Sequence, residues 1–160
     1  MLVDKEVDHG PIIAQEKISL NNWRPTTDEL KEKLAIVVAR LLLKVLPDWI
    51  DGKIKAVPQY HDLATFTKKF EGGDGLIDSK ELLDENLPIE RAKKIERMIR
   101  ALNPDPGVFA FIDSRRGKIR VKLIKVKIQD DKLVIERVVP EGKREMGWED
   151  FKRGNLPALS

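Results

Sequence analysis

The residues that could do chemistry fall in two places. Asp8 is followed by His9, Gly10 and Pro11. A positioned carboxylate can take up a proton or orient a base. Asp before Gly-Pro is also an ordinary turn residue, and the residues alone favour the turn. His9 is read as a loop neighbour of Asp8, and His61, the other of the two histidines, as a surface residue of a connecting segment. The second place is basic. Between Arg91 and Lys127 stand twelve Lys and Arg residues, opposed only by Glu96, Asp105 and Asp113. A block of that kind attracts phosphate backbones, or else forms a solvated face with a structural charge balance.

Composition narrows the classes. The chain has 160 residues, 36% of them charged and 41% hydrophobic, with a formal net charge of +3. That is enough for one good core or two small ones. With no cysteine, disulfides and thiolate metal sites are excluded, which fits a reducing compartment. No membrane span is expected, because the apolar stretch Leu34 to Leu46 is broken by Arg40 and Lys44. The start has no basic region followed by an apolar one, so no signal peptide is expected. A cytoplasmic protein without a metal is the resulting expectation.

The elements that must position these residues are legible in outline. Leu2 to Leu20 reads as extended chain with a turn at Asp8 to Pro11, followed by a loop around Asn21, Asn22 and Pro25. Thr26 and Glu29 have capping-box spacing, and they open a helix over about 27–45. Its stripe is Leu30, Leu34, Val37, Val38, Leu41, Leu42 and Val45. Pro47 stops that helix or begins a further turn through Trp49 and Ile50. Residues 51–64 read as a linker, and Gly72 to Gly75 as a turn. A second helix starts near Pro88, with Ile89, Ala92, Ile95, Ile99 and Leu102 as its stripe. After Gly107 the period becomes two. Val108–Ile112, Ile119–Ile128 and Lys132–Val139 read as strands, with turns at Arg115-Arg116-Gly117 and Asp130-Asp131. The alternation slips by one at Leu123-Ile124, which indicates a bulge. Short strands with one helix suggest a small, partly open barrel.

Four stretches, in order, carry a resemblance. They are Val3 to Gln15 with its Asp8-x-Gly10-Pro11-Ile12; Ala64-Thr65-Phe66 with Lys68-Lys69 and Asp74 to Asp78; Ile99 to Pro104 with Pro106-Gly107; and Pro140 to Lys143 with Met146, Trp148, Phe151 and Gly154. Together they resemble the methionyl-tRNA formyltransferase family. The first stretch is shared with glycinamide ribonucleotide formyltransferases, whereas the other three belong to a carboxy-terminal domain that the purine enzyme lacks. One departure is Asp105, which stands where the family has tryptophan in an Asn-Pro-Trp-Pro segment.

The resemblance implies an α/β remnant of a Rossmann-like formyltransferase domain over 1–50, a linker over 51–64, and a mainly β, OB-like barrel with one helix over 65–155. It implies formyl transfer from 10-formyltetrahydrofolate to the amino group of methionyl-initiator tRNA. That reaction needs donors aimed at the oxyanion and a route for the amine proton. The family uses an Asn, a His and an Asp. By motif match Asp8 is the Asp, with Val3, Asp4, Val7 and Asp8 lining the folate site. The Asn and His belong to family motifs upstream of this stretch. Initiator methionyl-tRNA would meet Arg91, Lys94, Arg97 and Arg100 on the helix, and Lys118, Arg120, Lys122, Lys125 and Lys127 on the strand.

Three readings follow. The chain is part of the enzyme, inactive alone, associating with a separately encoded amino-terminal half or self-associating through exposed strand edges. Or it is a non-catalytic tRNA-binding or accessory module. Or it is part of a sugar-nucleotide formyltransferase.

Overall fold

The computed structural model describes residues 1–21, 23–115 and 117–156. Asn22, expected in a loop, and Arg116, expected in a turn, lie outside the described residues. The chain forms two compact units, Met1–Lys68 and Lys69–Ser160.

The first unit opens with a closed loop. The Leu2 N–H donates to the Pro11 carbonyl at 2.8 Å. Asp8 turns the chain with φ 59°, a region that short polar residues tolerate. Gly10 is required by the close approach, since a Cβ there would sit 2.0 Å from the Leu2 oxygen. Ile12 and Val57 then exchange two backbone hydrogen bonds of 2.8 Å each. Residues 51–64, which read as a linker, therefore fold back on this loop. Residues 2–20 are extended in places but form no ladder of strands among the described residues.

Helix α1 spans Thr27–Ile50. Its capping box is present: the Glu29 N–H donates to Thr26 Oγ1 at 3.3 Å, and the Thr26 N–H to Glu29 Oε2 at 2.8 Å. The helix runs through Pro47 and ends at Asp51, whose N–H reaches the Pro47 carbonyl. Proline inside a helix lacks the N–H for one backbone bond, and α1 continues past it to Ile50. No residue of α1 is buried. Leu30, Val37, Leu41 and Val45 are half-buried, whereas Leu34, Val38 and Leu42 are exposed.

The second unit holds the core. It contains α2 (Ser79–Leu83), α3 (Ile89–Leu102), β1 (Val108–Ser114), β2 (Gly117–Gln129), β3 (Lys132–Pro140), β4 (Met146–Gly147) and α4 (Trp148–Asn155). The expected turn at Gly72–Gly75 is one turn of 3-10 helix. The four strands form one antiparallel sheet in the order β1-β2-β3-β4. Helix α3 packs on β2 and β3, and α4 on β3. The stripe expected for α3 is the inward one, buried at Ala92, Ile95, Ile99 and Leu102 and half-buried at Ile89. It meets Val108, Ala110 and Ile112 of β1, Val121 and Leu123 of β2, and Ile135 and Val138 of β3, with Trp148 and Phe151 of α4 closing one side. Each of these larger side chains contributes roughly 2 kcal/mol by leaving water.

The bulge is where the alternation indicated it. Register shifts occur between Leu123 and Lys125 and again between Lys125 and Val126. Asn103, at the end of α3, secures it: Nδ2 donates to the Leu123 carbonyl at 2.9 Å and to that of Ile124 at 3.4 Å, while Oδ1 accepts from the Val108 N–H at 3.4 Å. Three short elements escaped the sequence: β4, α4 and the five-residue α2. A two-residue strand has no period, and an eight-residue helix holding Gly154 has weak propensity.

Candidate functional site

The bulge decides which way the basic residues of β2 point. Before it, Val121 and Leu123 enter the core and Lys118, Arg120 and Lys122 take the other face. Strict alternation would then turn Lys125 and Lys127 inward. One inserted residue reverses the parity, so Val126 packs against the core and both lysines stay outside. All five strand candidates are thereby kept off the core.

They differ in what they already hold. Lys125 and Lys127 both reach Glu136, at 3.1 and 3.0 Å, and their hydrogen bonds hold that carboxyl below the ordinary range. Lys122 donates to the Pro104 carbonyl at 2.7 Å. Arg91 makes a two-point contact with Glu81, at 2.8 and 2.6 Å, which raises its pKa further. Arg100 meets Glu96 at 2.8 Å. Lys94, Arg97, Lys118 and Arg120 are exposed and have no carboxylate partner among the described residues. These four are the cations ready for an external anion.

Lys94 and Arg97 sit on a cleft of about 620 Å³ beside α3, floored by Leu76, Met98 and Leu102 and bordered by Phe70. Arg120 lies across the strands from Phe111, and its guanidinium stands 4.0 Å above the ring of Phe109. Both places combine free positive charge with apolar surface, which suits a polyanion carrying planar groups.

The amino-terminal loop builds a different arrangement. Asp4 Oδ2 lies 2.6 Å from His9 Nδ1, and Asp4 Oδ1 accepts the Glu6 N–H at 3.0 Å. His61 stacks on His9 with centroids 3.5 Å apart and planes 12° apart. The bond to Asp4 raises the pKa of His9, and the same bond lowers that of Asp4. Gln59 Nε2 fastens the loop by donating to the carbonyls of Asp8 at 2.9 Å and Gly10 at 2.8 Å. Val3 and Val7 are almost fully exposed, at 98% and 92%. Val3, Asp4, Val7 and Asp8 thus lie on one loop, but the Asp4 carboxylate is committed to His9. Sequence reasoning missed this dyad and its stacked partner. The only signal was the meeting of Asp4 and His9 across a loop that Gly10 closes.

This chain matches a family model described as formyl transferase, C-terminal domain, over residues 89–132. That range covers α3, β1, β2 and the start of β3. It is 32% identical over 99% of its length to a methionyl-tRNA formyltransferase of Carboxydothermus hydrogenoformans, 55% of which is covered. It is 33% identical over 96% of its length to the methionyl-tRNA formyltransferase of Dictyoglomus turgidum, covering 53% of it. To that of Chloroflexus aurantiacus it is 41% identical over 69% of the chain and 33% of the relative. The chain spans about half the length of the first two relatives. With that likeness running nearly end to end, and with the bulge-secured sheet inside the matched domain, the chain belongs to the formyltransferase family whose matched members are methionyl-tRNA formyltransferases.

Proposed function

We propose that this chain serves formyl transfer to methionyl-initiator tRNA, supplying the surface that holds the RNA. The observation that carries the reading is the set of four exposed cations, Lys94, Arg97, Lys118 and Arg120, that have no carboxylate partner among the described residues and lie within the range matched to the family. Phosphate contacts of this kind supply affinity and register rather than base discrimination. In a salt series, the affinity for tRNA should fall log-linearly. Changing Lys94, Arg97, Lys118 or Arg120 to Ala should each weaken binding and lower the slope by about one. Salt-independent binding, or four variants indistinguishable from the parent, would remove the reading.

The fold is proposed to be OB-like in the second unit, and the first unit to be the end of a Rossmann-like catalytic domain. The division into catalytic, linker and barrel segments at 50 and 64 belongs to the same proposal. Besides Val3 and Val7 of the loop, residues 1–50 expose apolar surface along α1, at Ile36, Val38, Leu42 and Leu43. We place the contact with the rest of the catalytic machinery there.

10-formyltetrahydrofolate, which supplies the formyl carbon, is proposed as the donor. The loop fits one wall of its site: Val3 and Val7 offer open apolar surface and Asp8 a carboxylate, while Asp4 is already paired. Asp8 would receive the amine proton or orient the group that does. Asp8→Ala should therefore abolish formyl transfer by the polypeptide that also carries the family's Asn and His. Turnover that survives the change takes Asp8 out of the role.

A further inference from the structure

Phe111 sits on β1 between Ala110 and Ile112, both fully buried, yet it is itself 42% exposed. Alternation along the strand sends it to the face opposite the core. Its neighbour on that face, Phe109, is 8% exposed and lies beneath the Arg120 guanidinium. The two rings meet edge to face, with centroids 5.7 Å apart and planes at 89°. That contact steadies the Phe111 ring while leaving much of it open. Across the strands, Phe111 pairs with Arg120, and the next pair on the same face is Asp113 with Lys118. Neither cation has a carboxylate partner among the described residues.

We propose that this face stacks an unpaired nucleobase on Phe111, with Arg120 and Lys118 meeting the adjoining phosphates. The proposal rests on the RNA-holding reading and goes beyond it by naming single-stranded RNA as the occupant. The charge argues for a polyanion: an apolar protein partner would have to strip water from two free cations to reach one ring. The open ring argues for an unpaired base, because a duplex hides its π-faces within the stack and offers only phosphates. Aromatic platforms flanked by Lys or Arg hold single strands with little sequence preference.

The test is anisotropy of the full chain with a labelled, unstructured 12-nucleotide RNA and with a hairpin duplex of equal charge. Phe111→Leu keeps an apolar side chain and removes the ring, and Phe111→Tyr keeps the ring. Single-strand binding is expected to weaken about tenfold in Phe111→Leu. It should hold within about twofold in Phe111→Tyr, with duplex binding and the salt slope unchanged in both. Matching thermal midpoints establish that the variants are folded. Phe111→Leu binding the single strand as tightly as the parent overturns the stack and leaves the RNA reading standing. Equal loss for single strand and duplex also overturns it. A parent chain that binds neither RNA in a salt-dependent way sinks the RNA reading itself, and the stack with it.

Discussion

Side chains of one type do different work in this protein. Lys125 and Lys127 share Glu136, so much of their field is spent within the sheet, while Lys118 and Arg120 hold no carboxylate among the described residues. Exposed ion pairs of this sort add little stability; their effect here is to shape where positive charge remains. The sharper residue-scale feature is the Asp4–His9 contact, with both side chains about a third exposed. His9 is raised above its ordinary 6.5, so its part in the contact is whole below that pH and is lost as pH rises through the raised value. Asp4 is lowered below 3.8, so its part is present above that pH and is lost as pH falls through the lowered value. The bond should hold from mildly acidic pH up to the titration of His9. An NMR titration should place the His9 midpoint above 6.5, and Asp4→Asn should bring it down. A midpoint that does not respond to Asp4→Asn would mean the bond does not form in solution.

At the scale of elements, the decisive device is the bulge in β2 and the side chain that secures it. Asn103 ends α3 and satisfies carbonyls at the bulge, so helix and strand are locked in one register. Removing the amide leaves buried or half-buried backbone groups without partners, which costs about 1–3 kcal/mol. Asn103→Ala should lower stability to denaturant by about that amount, and should loosen the amides near Leu123 to Val126 in hydrogen exchange more than those of β1. A loss below about 0.5 kcal/mol would show that water replaces the side chain at no cost. Lys122 adds a second tie across the same turn. A Cβ on Gly107, which has φ 82°, would lie 2.5 Å from Lys122 Cε, so the tie depends on glycine there.

At the scale of the whole molecule, burial is unevenly divided. Every buried apolar side chain from Ile77 to Phe151 lies in the second unit, while α1 in the first has none. Helices of this length draw most of their stability from tertiary packing, and α1 has its capping box and half-covered positions instead. Native-state hydrogen exchange should therefore separate the units. The amides of α1 should exchange through local opening, and those of α3, β1, β2 and β3 should approach the global limit. Protection in α1 equal to that of β2 would contradict this division, unless α1 gains a partner at the concentrations used.

What the sequence by itself determined is the set of elements whose pattern is local. Thr26 and Glu29 specify a helix start through side chains three residues apart. The α3 stripe and the strand alternation follow from periods of 3.6 and 2, and the bulge from one break in the latter. The family resemblance likewise rests on short local motifs, and the likeness to relatives over nearly the whole chain carries it. The tertiary structure decided most of which cations are free: Glu81 and Glu136 find their partners through folding, and only Glu96 and Arg100 have the i,i+4 spacing of a local helix pair. It alone brought His61 onto His9 across 52 positions of chain and set the Asp4 carboxylate against the His9 ring nitrogen. It also left Phe111 outward beside Arg120, since strand register is set by the hydrophobic face and the turn between the strands. Asp8 marks the boundary between the two kinds of information: its motif was legible, but its positive φ and the fastening of its carbonyl by Gln59 exist only in the folded loop.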